Sequence, residues 1–354
     1  MAELQELLSY QLDDLPDEVI LRILYFLDIK ELLLFGQASK RHRAIANDES
    51  LWLKLNHLDK KVPYDFIEKA AAENGCQYLS LAYSDILNLT EESKSSFNLK
   101  YLNLSCGHQG SPKIVQKCSS LQKLSVADLS LDSDDIQYIC QNSQTLQVLD
   151  LEDCTFHLFS SEPFQDLLTN CAHLTELNIC NSYMLDSHIQ ALVDDLTSKI
   201  LKVDIGYQEN FKDEHLKKLV KRCNKITHLD LKYTLITNDS VQSIIKHLKT
   251  CLEKLDVTGT NVDFLTLFQL KTMPLLKTLI FFEDDRMEED WENLEQQLSH
   301  ISINEEPGHL HIAKPFKRLN DSFIDYDWIW EIRAKKQRVF KNVDNENFDS
   351  DDKI

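Results

Sequence analysis

Glycine and proline are scarce, at seven residues each in a chain of 354. Phosphate-cradling nucleotide folds rely on Gly-rich loops, and β-sandwiches rely on Gly-dependent turns, so the shortage argues against both. No stretch approaches the roughly 20 apolar residues of a membrane span. The first 18 residues hold six acids and no base, the reverse of a secretory or mitochondrial presequence. The expectation is therefore a protein kept inside the cell, with no membrane partner. The nine cysteines form no CxxC pair, and in a reducing compartment they are expected to be free thiols. Bases are short as well: 38 Lys and Arg against 58 Asp and Glu give a net charge of −20. That balance disfavours nucleic acid as a partner, because phosphate binding needs clustered cations. Phosphate-loop, H-E-x-x-H and nucleophile-elbow motifs are missing too. No catalytic residue, metal or cofactor is assigned, and the expectation is a protein that is not an enzyme.

What the chain has is leucine, 56 residues of it. They fall into a Leu-x-x-Leu-x-Leu ladder whose central residues are Leu79, Leu102, Leu124, Leu149, Leu177, Val203, Leu229, Leu255 and Leu279, 22 to 28 residues apart. That period lies in the range of leucine-rich repeats. Side chains alternate along a short strand, so the central residue and the one two further on point inward. Between rungs run amphipathic segments such as Asp239 to Leu248, with Val241, Ile244, Ile245 and Leu248 at helical spacing. One such unit cannot bury its apolar side alone, so the units stack. The predicted fold class is α/β: a curved parallel sheet of about nine rungs over residues 76–282, with helices on the convex side. Cys118, Cys171, Cys223 and Cys251 recur just before rungs, and Cys154 just after one. They resemble the cysteine-containing repeat subclass and read as buried turn fillers rather than nucleophiles.

Residues 12–56 form a second, helical module. Leu15-Pro16-Asp17-Glu18 opens a helix with proline where a missing N–H costs nothing. Ile20, Ile23, Leu24 and Leu27 make an apolar stripe, and Leu32 to Phe35 cover most of a second helix. A unit this small is marginal alone. Either it merely caps the solenoid, or one apolar face docks a partner; the apolar excess favours docking.

The marks Leu15-Pro16, Glu18, Ile23, Leu27, Leu32, Ser39-Lys40-Arg41 and Leu51-Trp52 resemble an F-box, and an F-box before cysteine-containing repeats is similar to the F-box/leucine-rich-repeat family. The resemblance implies a substrate-recognition subunit of an Skp-cullin-F-box ubiquitin ligase, acting on cell-cycle proteins for proteasomal degradation. It implies a Skp-type adaptor on the F-box, cullin and RING subunits through that adaptor, and a protein substrate on the concave repeat face. Whether a phosphate-binding accessory subunit takes part is left open. Leu15, Pro16, Ile20, Ile23, Leu27, Leu32 and Trp52 would lie in or under the adaptor interface, some of them as intramodule core. The alternatives are an adaptor-binding scaffold without a degradative role and a plain repeat interaction protein. A member of the family grips an acidic substrate residue with a tryptophan and an arginine; an approximate alignment puts Asn181 and Gln208 or Glu209 at those places, so the resemblance does not imply that contact here.

On the strands, the column Asp150, Asn178, Asp204, Asp230 and Asp256, with Lys202 and Lys232 beside it, is expected to face the concave side as a polar groove for a substrate or a folded tail. Stacked carboxylates need pairing or solvation. Residues 1–11 are expected to be flexible, 57–75 to form a linker helix, 283–341 a tail packing on the repeats through Phe316, Phe323, Trp328 and Trp330, and 342–354 a disordered acidic end. Lys335-Lys336-Gln337-Arg338 fits a short nuclear-import pattern, giving an expected location in nucleus and cytoplasm.

Overall fold

The computed structural model describes residues 12–27, 29–56, 61–88, 95–107, 111–142, 144–156, 160–281 and 288–304. The aromatic tail, the basic run and the acidic end of the sequence fall outside them, as do residues 1–11.

Four short helices open the chain: α1 (Asp17–Leu24), α2 (Ile29–Phe35), α3 (Lys40–Ala46) and α4 (Glu49–Trp52). Pro16 is the N-cap of α1. Ser39 caps α3 by accepting from the His42 N–H at 3.1 Å, and Asp48 caps α4 by accepting from Ser50 N–H at 3.0 Å. Arg41 of α3 reaches back to the chain entry. It donates to Asp17 Oδ1 through Nε at 2.9 Å and to the Leu15 carbonyl through Nη2 at 2.6 Å. The Leu-Pro-Asp entry is thus tied to the third helix.

The solenoid follows without a break. Its parallel sheet has eleven strands in the order β1 (Lys54–Asn56), β3 (Tyr78–Ser80), β5 (Tyr101–Asn103), β6 (Lys123–Ser125), β7 (Val148–Asp150), β8 (Glu176–Asn178), β9 (Lys202–Asp204), β10 (His228–Asp230), β11 (Lys254–Asp256), β12 (Thr278–Ile280) and β13 (Ser302–Ile303). All nine sequence-derived anchors sit at the centres of strands, in register: Leu79 pairs Leu102, and Leu229 pairs Leu255. The sheet runs further than the expected 76–282, because Leu55 and Ile303 add a rung at each end. A small second sheet pairs β2 (Lys61–Pro63) with β4 (Asp85–Leu87). The expected linker helix is shorter than 57–75: α5 (Tyr64–Glu68) runs into a π-helical turn over Lys69–Glu73.

The convex side carries α6 (Ser133–Cys140), α7 (Ser161–Asn170), α8 (Asp186–Asp195), α9 (Asp213–Arg222), α10 (Asn238–Leu248), the short α11 (Phe264–Leu267) and, at the end, α12 (Glu288–Gln297). The acidic stretch after the repeats thus contains a helix, pinned by buried Leu294 and Leu298. One contiguous apolar core runs from Ile20 in α1 to Ile301 before β13. The helical module and the solenoid therefore share a core.

The cysteines lie where the repeat places them, and all nine are free. Burial pushes the Cys118 and Cys171 thiols up to about 12, so neither supplies a thiolate. Cys171→Ser places a hydroxyl in an apolar turn and is expected to cost about 1–3 kcal/mol of stability, read as a lower urea midpoint, with native-state alkylation of the wild-type thiol remaining slow.

Candidate functional site

Two exposed surfaces can meet a partner. The first is on the helical module. Along α1 the buried residues are Ile20 and Leu24, while Val19, Ile23 and Phe26 form an exposed stripe at spacings of four and three residues. Phe26 is 90 % exposed and Leu34 of α2 is 67 % exposed. Pro16 is exposed, and Leu15 and Leu27 are half-buried beside the same stripe. Water-facing aromatic and aliphatic groups in such density mark a docking face.

Of the residues expected at the adaptor interface, Ile20, Leu32 and Trp52 belong to the core rather than to the docking face. Trp52 is fully buried; its indole N–H donates to the Ala46 carbonyl at 2.7 Å and its ring packs against Phe66 of α5. Its task is to join the helical module to the solenoid. Sequence reasoning missed Val19, Phe26 and Leu34. Their signal was available: apolar residues one position off a buried stripe, which the core does not need.

The second surface is the concave face. The polar column has a structural task beside the expected one. Asp150, Asn178, Asp204, Asp230 and Asp256 are all buried. Each strand is only three residues long, and the chain turns at once, leaving the N–H three residues past the rung centre without a strand partner. The side chain of the last strand residue accepts it: Asp204 from Gly206 at 3.0 Å, Asp230 from Lys232 at 3.1 Å, Asp256 from Thr258 at 2.9 Å, Asn178 from Cys180 at 3.1 Å. The stack is stitched laterally too. Ser125 donates to Asp150 at 2.8 Å, Asn178 Nδ2 donates to Asp150 at 2.8 Å, and the Lys232 ammonium sits 3.0 Å from Asp230 and 4.0 Å from Asp204. Gly206 makes room for that lysine, since a Cβ there would lie 2.8 Å from Lys232 Cγ. Burial raises the Asp256 carboxyl above its ordinary range, against the opposing Thr258 hydrogen bonds. This column is a structural ladder, and its Asn178, Asp204 and Asp230 also line the depression on the concave face.

The groove floor is the neighbouring column. A shallow depression is lined by Glu176, Lys202, His228 and Lys254 of this column together with Asn178, Asp204 and Asp230 of the ladder. Lys202 stands 3.6 Å from Glu176, yet burial outweighs that attraction and raises the Glu176 carboxyl. Burial, with repulsion from Lys202, Lys254 and Lys277, pushes the His228 imidazole down to about 4, so it is neutral near pH 7.

At the edge of this face, the residue four past the rung centre has a left-handed backbone on every rung from Leu79 to Leu255. Tyr83, Cys106, Asp128, Asp153, Asn181, Tyr207, Tyr233 and Gly259 all have φ between 54° and 64° except Tyr233 at 52°. Asp, Asn and Gly accept that conformation readily; a tyrosine does so at a cost of about 1–2 kcal/mol. Tyr207 and Tyr233 stack with ring centroids 4.5 Å apart and stay half exposed. Tyr233 lies against Gly259, where a Cβ would sit 2.5 Å from the ring. Tyr183, Leu185 and Leu235 are exposed as well. Asn181 donates to Asp153 at 2.6 Å, and buried Gln208 donates to the Ile179 carbonyl at 2.8 Å, so both are spent on structure.

The sequence matches two family models: an F-box-like domain over residues 12–57 and the SKP2 LRR domain over residues 69–337. The chain belongs to the SKP2-type F-box/leucine-rich-repeat proteins. Its F-box implies binding of an Skp1-type adaptor, its repeats suggest a protein substrate, and together the two domains support the role of substrate receptor in an Skp-cullin-F-box ligase. F-box and repeat scaffolds of this kind are typically non-catalytic. Among the described residues, no helix is long and apolar enough to cross a membrane. Solved structures with a similar outline include an internalin (inlF) from Listeria monocytogenes, at 15 % identity and a TM-score of 0.47 over 72 % of this chain and 81 % of that one. Others are the TLR13–ssRNA13 complex, at 13 % identity and 0.42 over 66 % and 43 %, and mouse RP105/MD-1, at 15 % and 0.43 over 64 % and 38 %.

His228 gives this face a pH signature. Between the ordinary histidine value of 6.5 and about 4, the unfolded imidazole takes up a proton that the folded one refuses. Stability therefore falls as pH falls through that window. In His228→Asn, urea midpoints measured from pH 7 to pH 4 are expected to decline less steeply than in the wild type.

Proposed function

We propose that this protein recruits a protein substrate to an Skp-cullin-F-box ubiquitin ligase and commits it to proteasomal degradation, with cell-cycle proteins as the target class. The observation that carries the reading is the unpartnered apolar stripe of Val19, Ile23 and Phe26 on a module that shares its core with a repeat solenoid. The stripe fits an apolar groove on the adaptor in the helix-in-groove manner. Cullin and RING subunits join through the adaptor, and no covalent chemistry is asked of the receptor itself. The continuous core holds the concave face at a set position relative to the adaptor. A bound substrate is then presented in one orientation, which raises the effective concentration of its lysines at the ligase.

The substrate surface in this reading is the groove floor of Glu176, Lys202, His228 and Lys254 together with the Tyr207–Tyr233 stack. Aromatic anchors beside a mixed-charge floor supply affinity and register, respectively. The basic run at Lys335 to Arg338 serves as the nuclear address, with the protein shared between nucleus and cytoplasm.

Replacing Ile23 and Phe26 by alanine removes two exposed side chains, each worth about 1.5–3 kcal/mol when buried. Adaptor affinity, measured by calorimetry, is expected to drop by more than tenfold while the melting temperature of the solenoid is unchanged. An unaltered Kd would overturn the adaptor assignment.

Tyr207→Ala with Tyr233→Ala is expected to do the reverse. Partners captured from proteasome-inhibited cells are lost and adaptor binding is kept. Partners that bind but do not accumulate on proteasome inhibition would refute the degradative role.

A further inference from the structure

The F-box end of the concave face differs from the rest of it. The strands β1, β3, β5 and β6 include two lysines and no carboxylate. The strands β7 to β11 carry Asp150, Glu176, Asp204, Asp230 and Asp256. In a chain with 58 acids against 38 bases, the acid-free stretch of sheet is the unusual part. On it the first residues of the four strands stand in register: Lys54 beside Tyr78, Tyr78 beside Tyr101, and Tyr101 beside Lys123. Their side chains form a row. The two tyrosine rings lie 4.4 Å apart between centroids. The Lys54 ammonium sits 5.0 Å from the centre of the Tyr78 ring, and the Lys123 ammonium 5.2 Å from that of Tyr101. Lys54 is exposed and the other three are half-buried.

The contacts within the row fix its geometry without exhausting its hydrogen-bond donors. A ring face attracts an ammonium through its quadrupole, and the ammonium keeps N–H groups to donate elsewhere. Among the described residues, neither tyrosine hydroxyl has a hydrogen-bond partner, and neither lysine has a carboxylate within ion-pair reach. Glu176, two strands beyond Lys123, acts on it at longer range, against the burial that lowers this ammonium. The turns after these strands are served by other groups: Asn103 accepts from the Ser105 N–H at 2.9 Å. Four donor side chains thus share one strip of surface, with no anion among them.

We propose that this row is a docking surface for an acidic segment of a protein partner, an extended stretch whose Asp and Glu side chains accept from Lys54, Tyr78, Tyr101 and Lys123. Charge complementarity selects the occupant. The three strand-to-strand steps of the row cover about 14 Å, which about four or five extended residues match. The tyrosine rings give the side chains between the acids an apolar surface to lie on. Carboxylates fit better than phosphate here. Phosphate is gripped best by the arginine fork, whereas lysines act as separate point charges, and these four strands carry no arginine. The row is separate from the groove floor, which begins at Glu176 on β8. The inference stands on the geometry of the row and does not depend on the ligase role. Its consequence is polarity: a partner lying along the concave face is held with its acidic part toward the F-box.

The test is fluorescence anisotropy on the full-length chain at low salt. The probe is a labelled synthetic peptide of about ten residues alternating Glu and Thr, so that its acids share one face of an extended chain. Counterparts carry Gln or phosphoserine in place of Glu. The Glu peptide is expected to bind about tenfold or more tighter than the Gln peptide, and to weaken as salt rises. Lys54→Gln is expected to weaken it about threefold, and Lys54→Gln with Lys123→Gln about tenfold. Tyr78→Phe with Tyr101→Phe keeps the stacked rings, removes two donors and is expected to cost about threefold. Urea midpoints of the Lys54→Gln chain stay at the wild-type value, because Lys54 is exposed. Tyr207→Ala with Tyr233→Ala leaves the peptide Kd unchanged. No binding of the Glu peptide, equal affinity for the Gln peptide, or a Kd unmoved by Lys54→Gln and by the phenylalanine pair overturns the proposal. A Kd that moves instead with Tyr207 and Tyr233 overturns it by assigning the peptide to the groove floor. A phosphoserine peptide bound about tenfold tighter than the Glu peptide overturns it by assigning the row to phosphate.

Discussion

A three-residue strand makes too few hydrogen bonds to hold one coil of the solenoid on the next, so the ladder has to continue past the strand. It does so through the backbone. Beyond each strand, the N–H two past the rung centre reaches the neighbouring rung, as from Leu231 to the Asp256 carbonyl at 2.9 Å, and so does the N–H four past it, as from Tyr233 to the Thr258 carbonyl at 2.7 Å. The second of these bonds accompanies a left-handed residue, and the N–H between them is taken by the buried Asp or Asn side chain. The left-handed column, the carboxylate ladder and the constant register are thus three aspects of one requirement: that no buried backbone group go unpaired. Everything placed on the scaffold, from the groove floor to the tyrosine stack, inherits its spacing from that ladder.

The same requirement sets what the sequence discloses. The nine central anchors are legible because each must be an apolar residue buried on every side, and the repeat enforces it. Leu55 and Ile303 escape notice because the end rungs are half built from neighbouring elements, so the Leu-x-x-Leu-x-Leu context is missing. The polar column is visible as a pattern, yet strand alternation alone puts it on the concave side. What decides its fate is the turn that follows, where Asp, Asn and Ser are favoured for the N–H two residues on. A reading that weighed turn chemistry beside alternation would have given the column its ladder role as well as its place on the concave face.

The F-box shows the opposite difficulty. Ile20, Leu24 and Trp52 are as apolar as Ile23 and Phe26, and on a short helix the buried and exposed stripes lie side by side. Composition cannot divide them; only packing can, because Trp52 needs the Ala46 carbonyl and the Phe66 ring to be at home. The family resemblance named the module, but the assignment of faces came from burial.

Repeat arrays need something to close their first coil, and here that closure is the F-box. The Leu53 carbonyl accepts from the N–H groups of both Gln77 and Tyr78 at 3.1 Å, and Leu55 pairs Leu79. The handle for the adaptor and the plug of the solenoid thus belong to one module, on opposite faces of it. A shortened transcript or a protease cut that discards the first fifty-odd residues would leave β3 with a bare sheet edge and strip the apolar wall around Ile67 and Leu79. Such a fragment would aggregate or be cleared rather than persist as a decoy that holds partners without delivering them. Recruitment and retention are therefore lost together, a safeguard written into the packing rather than into any regulatory sequence.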